Sequence, residues 1–228
     1  MAEPKNTPWD PRWLSRLSHD LRNELVPLRT ATDLLGRGRL DPEGQREMVG
    51  MIDRQTRRLV RMLEDLSEYG HALAHHTSPR RERHELALII DNALGQVEGA
   101  ARAAGHDLAA ELPDDPLEVD GDANRLTTLL RRLLDNALRF TPAGGRIRLR
   151  LRREGDQAVL TVADSGPGIP EPEREAAFGP PLEQRDATGL GLSLTLARRC
   201  AEDHGGSLRA EQDPDLGGAA LILTLPLA

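Results

Sequence analysis

Four short stretches of this 228-residue chain carry residue types at spacings that could do chemistry. The first is "DSGPGI", Asp164 to Ile169, directly after an alternating apolar run. A carboxylate followed by Gly166 and Gly168 puts an acceptor beside backbone that a flat ligand can approach closely. If buried, that carboxylate could accept a hydrogen bond from an adenine amino group; ordinary turn chemistry uses the same letters. The second is "TGLGLS", Thr188 to Ser193, where Gly189 and Gly191 open a helix. Glycines ahead of a helix N-terminus leave amide N–H groups free, and the helix dipole there favours phosphate. No Gly-Lys-Ser/Thr follows and no βαβ unit surrounds it, so it is neither a P-loop nor a dinucleotide fingerprint. A plain turn and N-cap is the competing reading.

The third stretch is "LLDNALRFTP". Asn136 sits in an otherwise apolar helix, and an amide oxygen is a hard-cation ligand suited to Mg²⁺ between phosphates. Arg139, three residues on, is placed to meet phosphate; a satisfied polar residue at a helix end is the alternative. The fourth is "LSRLSHDLRNELVPLRTATDLL". Leu14, Leu17, Leu21, Leu25, Leu28 and Leu35 form its apolar stripe, and at ~100° per residue His19 falls opposite that stripe. Asn23 lies beside it, one turn on. A neutral imidazole is nucleophilic near pH 7, and an outward position lets two different partners reach it. Pro27 stands inside the same helix, where proline costs ~3 kcal/mol.

The elements that must position these residues fall into two halves. From Trp13 to about His76 the pattern is helical. Met48, Ile52, Gln55, Leu59, Met62, Leu66, Tyr69 and Leu73 alternate by four and three, a heptad seam with one polar interruption. Gly36 and Gly38 stop the first helix, and Asp41-Pro42-Glu43 starts the second with an N-cap, a first-turn proline and a favourable acid. The expectation is an antiparallel helical hairpin, and two copies forming a dimeric four-helix bundle is the simplest way to bury its seam. Gln55 either fixes register or is a tolerated polar residue.

After the break "HTSPRRERHE" the pattern becomes mixed. A helix ends at Gly105, and a second, capped by Asp122, runs to Phe140. "RIRLRLRR" and "QAVLTVAD" read as a hairpin around "EGD". A helix then leads to Gly205-Gly206, and "SLRAEQD" with "AALILTLPL" closes the chain as paired strands. The fold class is an α helical hairpin followed by an α+β two-layer sandwich on one antiparallel sheet. The domain expectation is a tail at 1–12, the hairpin at 13–77, a linker at 78–84 and the mixed domain at 85–228.

Composition bounds what this assembly can be. With 38% hydrophobic and 2% aromatic residues, the core must be aliphatic. A net charge of −7 gives no nucleic-acid footprint, and the local basic clusters "RQTRRLVR" and "SPRRERH" read as solvated surface. Cys200 is the single cysteine, which excludes an internal disulfide and fits a reducing compartment. There is no apolar run of membrane-spanning length and no signal-peptide pattern, so the expectation is a cytoplasmic protein with no direct membrane insertion. His71, His75 and His76 read as helix-end residues that complement the dipole rather than a metal site. His84, His106 and His204 show no partner pattern.

Taken in order, "SHDLRNELVPL", the Asn-bearing helix, Asp-x-Gly-x-Gly and Gly-x-Gly resemble the catalytic core of two-component sensor histidine kinases. That core is a dimerisation and histidine-phosphotransfer hairpin followed by a Bergerat-type ATP-binding domain. The resemblance covers Trp13 to the C-terminus. It implies that His19 is the phospho-acceptor, Asp20 its base, and Asn23 the residue that orients water to dephosphorylate a partner regulator. Pro27 matches a family proline, and its missing N–H is expected to bend the helix below His19. In the ATP-binding domain the resemblance implies that Asp164 reads adenine with Gly166 and Gly168 beside it. Asn136 would be the Mg²⁺ ligand, Arg139 the phosphate contact, and Gly189 and Gly191 the second glycine box. "EPEREAAFGPPLEQRDA" between the boxes would be a lid, starting near Phe178. The implied ligands are ATP and Mg²⁺, and the implied partners are a response-regulator receiver domain and a second copy of the chain. No sensory or receiver module is read in these residues, so a separate sensory partner is expected.

Four positions depart from the family pattern. Glu24 stands where many members have a second proline, Arg132 where another Asn is usual, Thr128 for Glu or Gln, and Ala187 for the first glycine of the second box. They leave open a phosphotransfer protein or regulator phosphatase with a degenerate ATP domain.

Overall fold

The structure, a computed structural model, describes residues 11–74, 81–179 and 192–228. It divides into two compact units, the helical hairpin and the mixed domain.

The hairpin consists of α1 (Pro11–Gly36) and α2 (Pro42–Ala74). Gly38 turns the chain at φ +63°, and Asp41 caps α2 by accepting the Gly44 N–H at 2.8 Å. In α2 the expected seam holds as far as Leu66: Met48, Ile52, Gln55, Leu59 and Leu66 are half-buried and Met62 is buried, while the side chains of Tyr69 and Leu73 lie outside the described residues. In α1 the inward row is Leu17, Leu21, Glu24, Leu28, Ala31 and Leu35. These are spaced four, three, four, three, four, a heptad seam that keeps Leu17, Leu21, Leu28 and Leu35 of the expected stripe; the side chain of Leu14 lies outside the described residues. Leu25, expected inside, is half-exposed, and Glu24 takes the inward slot. Pro27 lies within the continuous run of α1.

The second unit is built on five strands in the order β2 (Asp107–Glu111), β4 (Arg146–Glu154), β5 (Gln157–Asp164), β7 (Ala219–Pro226), β6 (Ser207–Gln212). The sheet is mixed rather than wholly antiparallel, because β2 runs parallel to β4. A parallel pair needs a crossover, and here it contains α4 (Ala123–Phe140). A separate two-stranded sheet pairs β1 (Glu82–Glu85), in the expected linker, with β3 (Glu118–Gly121). Neither these strands nor β2 has enough alternating apolar residues to stand out from loop.

Alternation decides the faces of the main sheet. Ile147, Leu149 and Leu151 of β4, Leu160 and Val162 of β5, and Leu221 and Leu223 of β7 enter the main core. They meet α3 (Leu86–Ala103) through Ile89, Ile90 and Val97, α4 through Leu126, Leu130 and Leu133, and α5 (Ser193–Asp203) through Ala197 and Cys200. Helices thus cover one face. On the other face Ala163, Ala220 and Ile222 form a small second cluster, with Leu216 packed against it.

Candidate functional site

On α1, His19 projects from the exposed side of the hairpin, with 70% of its side chain accessible. Both of its described neighbours reach the same ring nitrogen. Asp20 Oδ1 lies 3.2 Å from Nδ1, and Asn23 Nδ2 also lies 3.2 Å from Nδ1. Asp20 is adjacent in sequence and Asn23 is one turn on, so the helix alone delivers both. Asp20 accepts when Nδ1 carries the proton; Asn23 donates when it does not. With Asp20 as the partner, the lone pair sits on Nε2, which points away from both.

In the second unit, Asp164 ends β5 on the helix-covered side of the sheet and is 3% exposed. Its Oδ1 accepts the N–H of Gly166 at 2.8 Å and of Ala219 at 3.3 Å. Those bonds commit one oxygen and aim the other. Burial pushes the carboxyl above the ordinary carboxylate range, opposed by the two backbone donors and reinforced by the negative charge of Asp213. Gly166 is required by proximity: an added Cβ would stand 2.7 Å from the Phe140 carbonyl oxygen and 2.8 Å from Asp164 Oδ1. This contact brings the loop after β5 against the last turn of α4. Gly168 is required by conformation, with φ at +76°.

That last turn of α4 carries the other candidates. Asn136 is half-buried, and none of the described residues hydrogen-bonds its side chain. Arg139 is exposed, its guanidinium 4.9 Å from the centroid of the Phe140 ring. Asp122 caps the far end of the helix by accepting the N–H groups of Asn124 and Arg125 at 3.0 and 3.1 Å. Arg132, one turn before Asn136, is buried rather than facing solvent, while Arg131 beside it pairs with Asp135 at 3.2 Å on the surface. Thr128 Oγ1 donates to the Asn124 carbonyl at 2.9 Å.

Gly189, Gly191 and Ala187 lie outside the described residues, as does the lid segment beyond Gly179. Its described start forms two single-turn 3-10 helices, Glu171–Glu173 and Ala176–Phe178. Phe178 is buried, with the Arg198 guanidinium 4.0 Å from its ring centroid, and Arg198 Nη1 donates to Glu175 Oε1.

Sequence reasoning missed Gly218. An added Cβ there would collide with the Asp164 carbonyl and stand 2.5 Å from its Oδ1. The available signal was the Gly217-Gly218 pair directly before the last strand. It also missed His204, which is buried. Its Nδ1–H donates to the Cys200 carbonyl at 2.7 Å, and its Nε2 accepts the Asp122 N–H at 3.1 Å. The ring therefore ties the end of α5 to the cap of α4.

An exposed histidine on a helical hairpin, followed by a buried aspartate with a glycine loop on an α+β sandwich, is the arrangement of a histidine kinase catalytic core. Comparison with known proteins agrees. The His Kinase A (phospho-acceptor) domain model matches residues 12–73, and the histidine kinase-, DNA gyrase B- and HSP90-like ATPase model matches residues 121–228. The chain belongs to the sensor histidine kinase family. It is 32% identical over 224 residues to the adaptive-response sensory kinase SasA of Synechococcus sp. (strain JA-3-3Ab), covering 95% of this chain and 59% of that protein. It is 30% identical over 226 residues to the sensor histidine kinase CpxA of Escherichia coli (strain K12), covering 95% and 47%. The chain thus spans about half the length of these curated relatives. Among solved structures, the mycobacterial sensor histidine kinase MprB is similar at 31% identity and TM-score 0.57, covering 64% of this chain and 97% of that one. The histidine kinase ThkA, solved in complex with the response regulator protein TrrA, shares the fold at 24% identity and TM-score 0.77, covering 94% and 61%.

Proposed function

We propose that this chain autophosphorylates on His19 from ATP and passes the phosphoryl group to an aspartate of a response-regulator receiver domain. The observation that carries this reading is the sidedness of the His19 ring: Asp20 and Asn23 both address Nδ1, and Nε2 is left outward on an accessible side chain. With the Nδ1 proton held by Asp20, the Nε2 lone pair forms the bond to the γ-phosphorus. The bond from that phosphorus to the bridging oxygen breaks, and ADP leaves with the electron pair. Asp20 stabilises the charge that develops on the ring by accepting the Nδ1 proton. Asn23, on the same face, is the proposed water-orienting residue when the regulator is dephosphorylated.

In the ATP-binding domain, the oxygen of Asp164 not taken by Gly166 and Ala219 is the acceptor for the adenine amino group. Asn136 supplies the protein oxygen for Mg²⁺, and its uncommitted amide in the last turn of α4 fits that hard cation. When bound, Mg²⁺ neutralises charge on the phosphates. Arg139 is the proposed phosphate contact, and Gly189 and Gly191, as the second glycine box, are proposed to meet the phosphates as well.

Two copies of the chain are proposed to pair through the hairpin. Leu25, Val26, Val49, Val60 and Leu63 remain exposed after α1 and α2 have closed on each other. A second hairpin is the partner whose pattern matches that stripe. A cytoplasmic location and a separate sensory partner complete the reading.

The experiment is incubation with γ-labelled ATP and Mg²⁺ of the wild type, His19→Gln and Asn136→Ala. Acid-labile, base-stable label in the wild type that disappears in both variants is the expected result. Nucleotide binding without label in the wild type would instead favour the phosphotransfer or phosphatase reading, for which the buried Arg132 in place of an asparagine is the supporting observation.

A further inference from the structure

The loop joining β6 to β7 is built around a buried ion pair that the phosphotransfer chemistry does not use. Arg150 of β4 points to the sheet face opposite the helices, since Leu149 and Leu151 on either side enter the main core. Its guanidinium donates to Asp213 Oδ2 at 3.1 Å and to Asp215 Oδ2 at 3.2 Å, with Glu111 at 3.6 Å. Asp213 is 2% exposed, a depth at which a carboxylate requires full pairing. It has that pairing. Besides Arg150, its Oδ1 accepts the N–H of Asp215 at 3.1 Å and of Leu216 at 2.7 Å. Its own N–H donates to the Gly218 carbonyl and its carbonyl accepts the Gly217 N–H, each at 2.9 Å. Leu216 then anchors the loop on Ala163, Ala220 and Ile222.

What this loop delivers is the wall behind Asp164. Gly217 takes φ +79°, and Gly218 follows so closely that a Cβ would stand 2.7 Å from the Gly166 N. Ala219 then donates its N–H to Asp164 Oδ1. Closing a short β-hairpin needs only turn residues, so the buried pair is not required for the turn itself. We propose that Asp213, clamped by Arg150, is a positioning residue for adenine recognition: it fixes the β6–β7 loop so that Gly218 and Ala219 hold Asp164 in its reading orientation. The inference rests on the nucleotide-binding reading above.

The test uses the full chain and compares wild type, Asp213→Asn, Arg150→Lys and Glu111→Gln. ATP binding is titrated calorimetrically from pH 4.5 to 8, and autophosphorylation is followed against ATP concentration. Loss of a charge-assisted pair is expected to raise Kd and KM for ATP about tenfold in Asp213→Asn while the rate at saturating ATP changes less than about twofold. Burial is the chief cause that pushes the Asp164 carboxyl up, and the Gly166 and Ala219 N–H groups oppose it, so in Arg150→Lys, which keeps the charge of Asp213, loosening of the Ala219 donor moves the acid limb of ATP binding to higher pH. A purely architectural role would lower thermal stability without moving that limb. Arg150→Lys keeps the charge but not the fork, and an intermediate KM is expected; it also serves if Asp213→Asn does not fold. Glu111→Gln, at the exposed rim of the cluster, is expected to match wild type. Unchanged KM in Asp213→Asn with an unmoved acid limb in Arg150→Lys overturns the inference, as do unchanged KM and limb in Arg150→Lys alone should Asp213→Asn not fold. Failure of the wild type to bind ATP would instead overturn the nucleotide-binding reading on which it rests.

Discussion

Glu24 of α1 faces Arg58 of α2 across the hairpin, with Oε2 and Nη1 3.5 Å apart and the Glu24 side chain only 13% exposed. That oxygen and Gln55 Oε1 are both buried without a hydrogen-bond partner among the described residues. Two acceptors therefore interrupt an otherwise apolar seam. Buried polar positions in helical seams trade stability for a defined register. Replacing both, as Glu24→Leu with Gln55→Leu, is expected to leave stability equal or raise it by up to about 4 kcal/mol. The same double variant is expected to broaden the distribution of assembly states seen by sedimentation equilibrium. A single sharp species with lower melting temperature would contradict this.

Leu63 lies on the outer stripe of α2 and is 57% exposed. Leu63→Glu leaves the packing between α1 and α2 untouched but places charge where the second hairpin is proposed to dock. Buried without a partner at such an interface, a charge costs several kcal/mol. The expected outcome is a shift from dimer to monomer at micromolar concentration, measured by light scattering, with helical circular dichroism reduced but not abolished. A Leu63→Glu protein that remains dimeric would place the interface elsewhere.

Asp164→Asn separates binding from stability. The amide oxygen can still accept from Gly166 and Ala219, but the amide nitrogen then presents a donor to the adenine amino group. A donor facing a donor in a buried site is expected to weaken ATP binding by about 100-fold or more. Stability moves the other way. The folded carboxyl is pushed above its unfolded value by burial. Its favourable contribution is therefore present below the unfolded value and lost as pH rises through the folded one. At pH 7 the variant removes that cost, so its melting temperature without nucleotide should equal or exceed wild type in a scanning experiment.

His204 should give the second unit an acid-sensitive edge. Burial lowers its proton affinity from the ordinary value of 6.5, and the Cys200 carbonyl opposes that effect. A histidine depressed in the folded state contributes stability above about pH 6.5 that is lost as pH falls through its folded value. Protonation at Nε2 also breaks the bond from the Asp122 N–H, loosening the cap of α4. His204→Gln is expected to cost about 1–3 kcal/mol at pH 7.5 and to flatten the fall in melting temperature between pH 7 and 5. An equally steep fall in the variant would assign the acid sensitivity to other groups.

Much of this molecule is legible in its sequence because the relevant physics is local. The heptad in α2, the Asp41 and Asp122 caps and the alternation in β4, β5 and β7 are all satisfied within a few residues. So are the meetings of His19 with Asp20 and Asn23, which one turn of helix dictates. Tertiary structure decided the rest. Glu24 displaced Leu25 from the seam because the rotation of α1 is set by packing along its whole length against α2, not by where leucines cluster. The short strands β1, β2 and β3 exist only because partners elsewhere supply their hydrogen bonds. Asp164 acquired its orientation from Gly166, two residues away, and from Ala219, 55 residues away. No local pattern encodes that second bond, since it depends on a sheet bringing the ends of β5 and β7 together.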